Sequence, residues 1–169
     1  MKTLLLMRHA KSDWGADYGV DHDRPLNERG KKSAQTMGRV IAEHGLAPEI
    51  VITSTAVRAH TTAILANEAG HWGAEIILEP DLYGGAMDTA IHVASRAGDV
   101  DHLMLVGHQP TWSILAQALT GERVDMRTAT VAVIEFDIDD WADLEPSSRG
   151  LLTAVYQPRD HMEGEEDEP

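Results

Sequence analysis

The opening segment Lys2-Thr3-Leu4-Leu5-Leu6-Met7-Arg8-His9 sets an unbroken apolar run directly against an arginine and a histidine. The run reads as a strand over residues 2–8, apolar enough to be buried in a parallel sheet. A strand that stops there leaves a cation and an imidazole at its carboxyl edge, where open α/β sheets form their ligand crevices.

Working outward, short β-rich runs alternate with longer helical patterns. Ile50-Val51-Ile52-Thr53, Ile76-Ile77-Leu78 and Leu103-Met104-Leu105-Val106 read as three further strands of a buried parallel sheet. The gaps between them carry helical patterns. Asn27 is a good N-cap for a helix over 28–44 that stops at Gly45, and a second over 56–69 ends at Gly70. A third spans 87–97 and closes at Gly98, and Pro110 suits the first turn of a fourth over 110–120. After Gly121 the period changes, and residues 131–136 and 151–156 read as two strands joined by the loop 137–150. The order βαβαβαβα followed by two strands predicts an α/β protein: one three-layer α/β/α domain with a mostly parallel central sheet and a C-terminal strand pair.

Composition bounds the function. A chain of 169 residues fits one domain with a sizeable core, and 43% hydrophobic and 25% charged residues are ordinary for a soluble globular protein. There is no cysteine, which removes disulfides, thiolate nucleophiles and Cys-based zinc sites together. The N-terminal apolar run is too short for a signal sequence, and no later run approaches the ~20 apolar residues of a membrane span. The expectation is a cytoplasmic protein without a membrane partner. The formal net charge is −14, of which Asp160, Glu163, Glu165, Glu166, Asp167 and Glu168 supply six negative charges. The remaining −8 still repels phosphate backbones and anionic lipid, so nucleic acid is not expected as a partner. The domain is read as 1–158 and the acidic tail, 159–169, is expected to be disordered.

Three strand ends deliver the same kind of chemistry. The first brings Arg8 and His9, the second Thr53-Ser54-Thr55 and then Arg58, and the fourth Gly107-His108. Two arginines and two histidines thus converge on one edge, joined by helix N-termini at 56–58 and near 110. Such a pocket suits a tetrahedral dianion, because arginine forks match phosphate oxygens and amide dipoles add to their charge.

Met7-Arg8-His9-Ala10, Ser54-Thr55-Ala56-Val57-Arg58-Ala59-His60-Thr61-Thr62-Ala63 and Val106-Gly107-His108-Gln109-Pro110 resemble the three signatures of the histidine phosphatase superfamily. Arg24-Pro25-Leu26-Asn27-Glu28-Arg29-Gly30 together with Arg8-His9-Ala10-Lys11-Ser12 is most similar to its SixA branch, named for phosphohistidine phosphatases. The resemblance spans roughly residues 1–158. It implies the phosphoglycerate-mutase-like fold and a cofactor-free, metal-independent phosphatase. His9 would be the nucleophile that forms a phosphohistidine intermediate. Arg8 and Arg58 would clamp the phosphoryl oxygens, and His108 would complete the clamp. The neighbouring arginines are expected to depress the pKa of His9 and keep its ring neutral.

The resemblance also shows departures. Ala10 follows the nucleophilic histidine where the family often has glycine. Aligning Tyr83-Gly84-Gly85 puts Pro80 where many superfamily phosphomonoesterases and mutases carry a glutamate acid. Asp81 is then the candidate general acid, with a turn-capping carboxylate as its plainer reading. A pocket without a strong acid favours phosphoramidates, whose imidazole leaves far more readily than an alkoxide. Lys11 and Ser12 are expected to line the mouth and bind substrate. Arg24 is read both as a substrate-binding residue and as a partner for a loop aspartate. Asp21-His22-Asp23 resembles a metal cluster but lacks further ligands at suitable spacing, so no metal is expected. The resulting expectation is a phosphatase of protein phosphohistidine, its partner a phosphoprotein or a small phosphorylated substrate. The alternatives are a phosphatase of small phosphate monoesters using Asp81, or a phosphate-binding module of low turnover.

Overall fold

The computed structural model describes residues 1–162. Its centre is a six-stranded sheet in the order β3-β2-β4-β1-β5-β6, formed by β1 Lys2–Arg8, β2 Ile50–Ser54, β3 Glu75–Glu79, β4 His102–Gly107, β5 Val131–Phe136 and β6 Leu151–Tyr156. The first four strands run parallel, β5 is antiparallel to β1, and β6 is antiparallel to β5. Four α-helices cover the sheet among the described residues: α1 Glu28–Glu43, α2 Val57–Gly70, α3 Met87–Ser95 and α4 Thr111–Thr120. The layered α/β/α architecture with its C-terminal strand pair is therefore as the sequence predicts.

Alternation along the strands builds two cores. Leu4, Leu6, Leu103 and Leu105 pack with Ile91 and Ala94 of α3 and Trp112, Leu115 and Leu119 of α4. Leu5, Met7, Met104 and Val106, on the opposite face, pack with Ala34, Met37 and Ile41 of α1 and Ala59 and Ala63 of α2. Trp141, from the β5–β6 connection, is fully buried in the first core and donates its indole N–H to Val100 O at 2.7 Å.

Three local readings change. The apolar run of β3 suggests a buried strand, yet β3 is the sheet edge and Leu78 is 49% exposed. An apolar run does not by itself separate a central strand from an edge strand, which has a neighbour on one side only. Gly70 belongs to α2, and His71 takes the left-handed cap at φ 52°. Gly70 is small for packing, since a Cβ there would stand 2.3 Å from Gly38 O. Pro110 caps α4 from outside rather than lying in its first turn.

The α1–α2 contact is tight enough to predict a mutational cost. A Cβ on Gly38 would stand 2.1 Å from Ala66 O, a backbone atom that cannot rotate away. Gly38→Ala is expected to destabilise by about 1–3 kcal/mol through overpacking, exceeding the gain of about 1 kcal/mol in helix propensity. A fall in the urea midpoint at unchanged slope checks this.

After β6, Pro158–Asp160 forms a 3-10 turn with Pro158 buried, and Ser33 Oγ of α1 donates to Met162 Sδ at 3.6 Å. Residues 163–169 of the acidic tail lie outside the described residues. No helix among the described residues is long and apolar enough to cross a membrane.

Candidate active site

Register brings the polar strand ends together. Arg8 of β1 pairs with Gly107 of β4, and β4 in turn pairs with β2 as far as Thr53. Beyond these positions His9, His108 and Ser54 emerge side by side at the carboxyl edge. Gly107 is required where β4 ends, because a Cβ would fall 2.6 Å from the Trp112 ring, whose Nε1–H donates to Met7 O at 3.0 Å.

His9 is 7% exposed, and its backbone N–H donates to Gly107 O at 3.1 Å. Its Nδ1 lies 2.7 Å from Ala10 O. A carbonyl only accepts, so Nδ1 carries the proton and Nε2 keeps its lone pair. Ala10 N–H is itself fixed by Thr62 Oγ1 at 2.9 Å, while that hydroxyl donates to Arg58 O at 2.6 Å. The loop after β1 is thereby tied to the first turns of α2. The rings of His9 and His108 lie 5.2 Å apart.

Arg58 is buried and grips the loop residue Asp21 twice, NH1 donating to its backbone O at 2.8 Å and NH2 to Oδ2 at 3.0 Å. The same carboxylate accepts from Tyr83 Oη at 2.7 Å and from Arg24 NH1. Arg24 Nε donates to Ser12 Oγ at 2.9 Å, and its guanidinium stacks 3.6 Å from the centre of the Trp14 ring, which is 71% exposed. Arg8 NH1 donates to Met126 O at 3.1 Å. The segment Arg24–Gly30 is locked to the site because a Cβ on Gly30 would fall 2.0 Å from Lys11 O, which also accepts from Asn27 N–H at 3.0 Å.

A cavity of about 250 Å³ opens beside His9, lined by Arg8, His9, Lys11, Ser12, Trp14, Arg24 and Thr128. Of the residues singled out from the sequence, Arg8, His9, Arg58, His108, Lys11, Ser12 and Arg24 are all brought to this edge. Asp81 is not: it is exposed, and its described hydrogen bond is from its backbone N–H to Glu79 Oε2 at 3.3 Å. Two residues further on, Tyr83 is the one that reaches in. Asp21 and Tyr83 are the residues that sequence reasoning missed. Asp21 stood in the apparent metal cluster, yet its oxygens are taken up by Arg24, Arg58 and Tyr83. Among the described residues no cluster of three or more His, Cys, Asp or Glu is disposed to hold a metal ion.

The electrostatics favour an anion. Burial pushes His9 down to about 3, reinforced by His108, Arg8 and Arg58 and opposed by its bond to Ala10 O. Burial, rather than the arginines expected from the sequence, is the larger cause. His108 is pushed down to about 4, first by burial and then by the Arg58 charge. Asp21 is held well below the usual carboxylate range, chiefly by the Tyr83 hydroxyl and then by Arg24 and Arg58. The Tyr83 hydroxyl is correspondingly raised by its bond to Asp21. Both histidines are thus neutral near pH 7, beside fixed arginine charges.

These shifts set a pH dependence of stability. For His9 and His108 the unfolded chain binds protons more readily than the fold does, so folding stability rises with pH from their folded values to about pH 6.5. Their contribution to stability is present above about pH 6.5 and is lost in acid. Asp21 has the same direction in a lower window, losing its contribution only below about pH 4. Urea midpoints are expected to fall between about pH 7 and about pH 5, and replacing His9 by Gln is expected to flatten that slope.

Comparison with known proteins fits this geometry. The profile of the histidine phosphatase superfamily (branch 1) matches residues 4–88. The chain is 37% identical over 167 residues to an uncharacterized protein of Mycobacterium tuberculosis, covering 90% of this chain and all of that one (100%). Among solved structures it is similar to the putative phosphohistidine phosphatase SixA of Nakamurella multipartitia, with TM-score 0.79, 28% identity and coverage of 93% of this chain and 96% of that one. The putative SixA of Agrobacterium tumefaciens gives TM-score 0.80 and 27% identity over 93% of this chain and 98% of its own.

Proposed function

Because the chain belongs to the histidine phosphatase superfamily, in its SixA-like branch, we propose that it hydrolyses phosphohistidine in proteins, without a metal, through a covalent intermediate on His9. In this reading His9 Nε2 attacks phosphorus, forming an N–P bond as the P–N bond of the substrate breaks. The departing imidazole takes its proton from solvent. Water then cleaves the phosphoenzyme, releasing inorganic phosphate and restoring the neutral His9. Arg8 and Arg58 hold the nonbridging oxygens, and phosphoryl transfer asks a protein mainly for such positioning and charge. Lys11, Ser12 and Arg24 line the side on which the leaving group sits.

One observation carries the choice of substrate. The carboxylate joined to the cluster, Asp21, is kept ionised by Tyr83, Arg24 and Arg58, so it offers no proton to a leaving group near neutral pH. Asp81 stands outside the described contacts of the site. An ester releasing an alkoxide needs such a proton far more than a phosphoramidate does. The cavity lining includes the exposed Trp14 ring, which suits a phosphoryl group carried on a protein surface. A cytoplasmic location belongs to the same reading.

Incubating the protein, with EDTA present, with a phosphohistidine-bearing protein and with a simple phosphate monoester tests this directly. Faster release from phosphohistidine is the expected result. Preference for the ester would replace it with the Asp81-assisted monoesterase. No release from either, with phosphate still bound, would replace it with the binding module.

A further inference from the structure

The two histidines of the site are held through different ring nitrogens, Nδ1 in His9 and Nε2 in His108. His9 is fixed by a carbonyl, which leaves Nε2 unprotonated. His108 is backed instead by a hydroxyl: its Nε2 lies 2.8 Å from Ser54 Oγ. We infer that Ser54 is a positioning residue that holds His108 as the neutral Nδ1–H tautomer, making it a hydrogen-bond donor to the phosphoryl group rather than a second cation. The inference rests on the phosphatase reading for its purpose but not for its geometry.

The argument is one of proton supply. Ser54 is fully buried at the end of β2, and its Oγ already accepts from Ala56 N–H at 3.2 Å. The hydroxyl has one proton to give, and His108 Nε2 is the acceptor described within reach. If Nε2 carried a proton, Ser54 would accept twice and its own proton would be left buried without a partner, which folded proteins avoid. With Nε2 accepting, the proton of a neutral ring must sit on Nδ1. That atom is buried and has no hydrogen-bond partner among the described residues. An unused buried donor beside the nucleophile is what a bound oxyanion would complete.

The surroundings favour the neutral ring. His108 faces Arg58, Arg8 and Arg24 as cations, His9 and Tyr83 as neighbouring rings, and Asp21 as the opposing carboxylate. Burial and the Arg58 charge together outweigh Asp21 and hold the imidazolium form off to about 4. Charge for the substrate is then supplied by arginines, which never lose their protons, and His108 contributes direction.

Long-range proton–nitrogen NMR of the nitrogen-15-labelled protein near pH 7 reads the tautomer without any substrate. The expected spectrum has a protonated, pyrrole-like Nδ1 and an unprotonated Nε2 on His108, and the same tautomer on His9, where Nδ1–H is committed to Ala10 O. In Ser54→Ala the His108 preference should be lost, while Ser54→Thr, which keeps the hydroxyl, should retain it. Inhibition by inorganic phosphate and kcat/KM should each weaken about 10-fold or more in Ser54→Ala, in the range seen when one donor to a transition state is compromised. A wild-type His108 protonated on Nε2, or on both nitrogens, would overturn the inference. So would an unchanged tautomer in Ser54→Ala. If Ser54→Ala fails to fold, the wild-type spectrum alone decides. Failure of the phosphohistidine assay leaves this measurement untouched, so the two readings fail separately.

Discussion

Replacing His9 by alanine is expected to lower turnover of phosphohistidine by at least about 10⁴-fold while leaving inorganic phosphate able to bind. The reason is geometric. His9 offers the unprotonated Nε2 of the site, because its Nδ1–H is committed to Ala10 O and burial keeps the ring neutral. The groups that would hold the anion stand on other residues: Arg8 on β1, Arg58 on α2 and His108 after β4. In the proposed mechanism, removing His9 therefore empties the nucleophile's position without moving the other residues. Two measurements check this. Steady-state release should vanish in His9→Ala, and rapid quench of the wild-type enzyme should trap an acid-labile, base-stable phosphoenzyme that the variant cannot form. Turnover that survives the loss of His9 would remove it from the chemistry. Loss of phosphate binding along with turnover would show that the ring also supports the fold of the pocket.

Arg58→Ala is expected to produce the second largest effect, a fall in kcat/KM of about 10²–10³-fold with a parallel weakening of phosphate inhibition. Its guanidinium does two things at once. It supplies a buried positive charge at the N-terminal turn of α2, and it holds Asp21 through both a backbone oxygen and a carboxylate oxygen. Asp21 in turn pairs with Tyr83 and Arg24, so the Arg58 side chain is linked through it to both. A lysine has the charge but not the planar fork, and cannot reach two Asp21 oxygens and a phosphoryl group together. Arg58→Lys should therefore recover little activity. Near-wild-type kcat/KM in Arg58→Lys would show that charge alone matters and that the Asp21 brace does not.

Asp21 also shows where sequence reading stopped. It lies in a loop with no periodicity, next to a histidine and an aspartate that suggested a metal cluster. Its partners Arg58 and Tyr83 are 37 and 62 residues away in the chain. No local pattern announces a contact of that span; a buried arginine in need of an anion was the available hint. In the sequence Tyr83 serves only to align the segment that follows β3. Asp81, chosen from chain position, and Tyr83, reached by the fold, differ by two residues along a 3-10 turn, Pro80–Leu82, which sends their side chains to different places.

The strand edge was far more legible. Apolar runs ending on Arg8, Thr53 and Val106 are buried in the middle of the six-stranded sheet, where hydrogen-bond register leaves little freedom. Their last residues must then emerge at a common edge. Helix limits were legible to within two residues at each end wherever a cap stood in the sequence, as at Asn27, whose side chain accepts from Gly30 N–H at 2.7 Å.

The sequence by itself thus determined the layered α/β fold and the convergence of Arg8, His9, Arg58 and His108 on one edge. Each follows from burial and alternation, which act over a few residues and leave a periodic trace. The tertiary structure alone decided that Asp21 and Tyr83 stand where an acid was sought, that burial rather than charge chiefly keeps His9 neutral, and that Ser54 backs His108. Those depend on hydrogen bonds and desolvation between segments far apart in the chain, which no local pattern records.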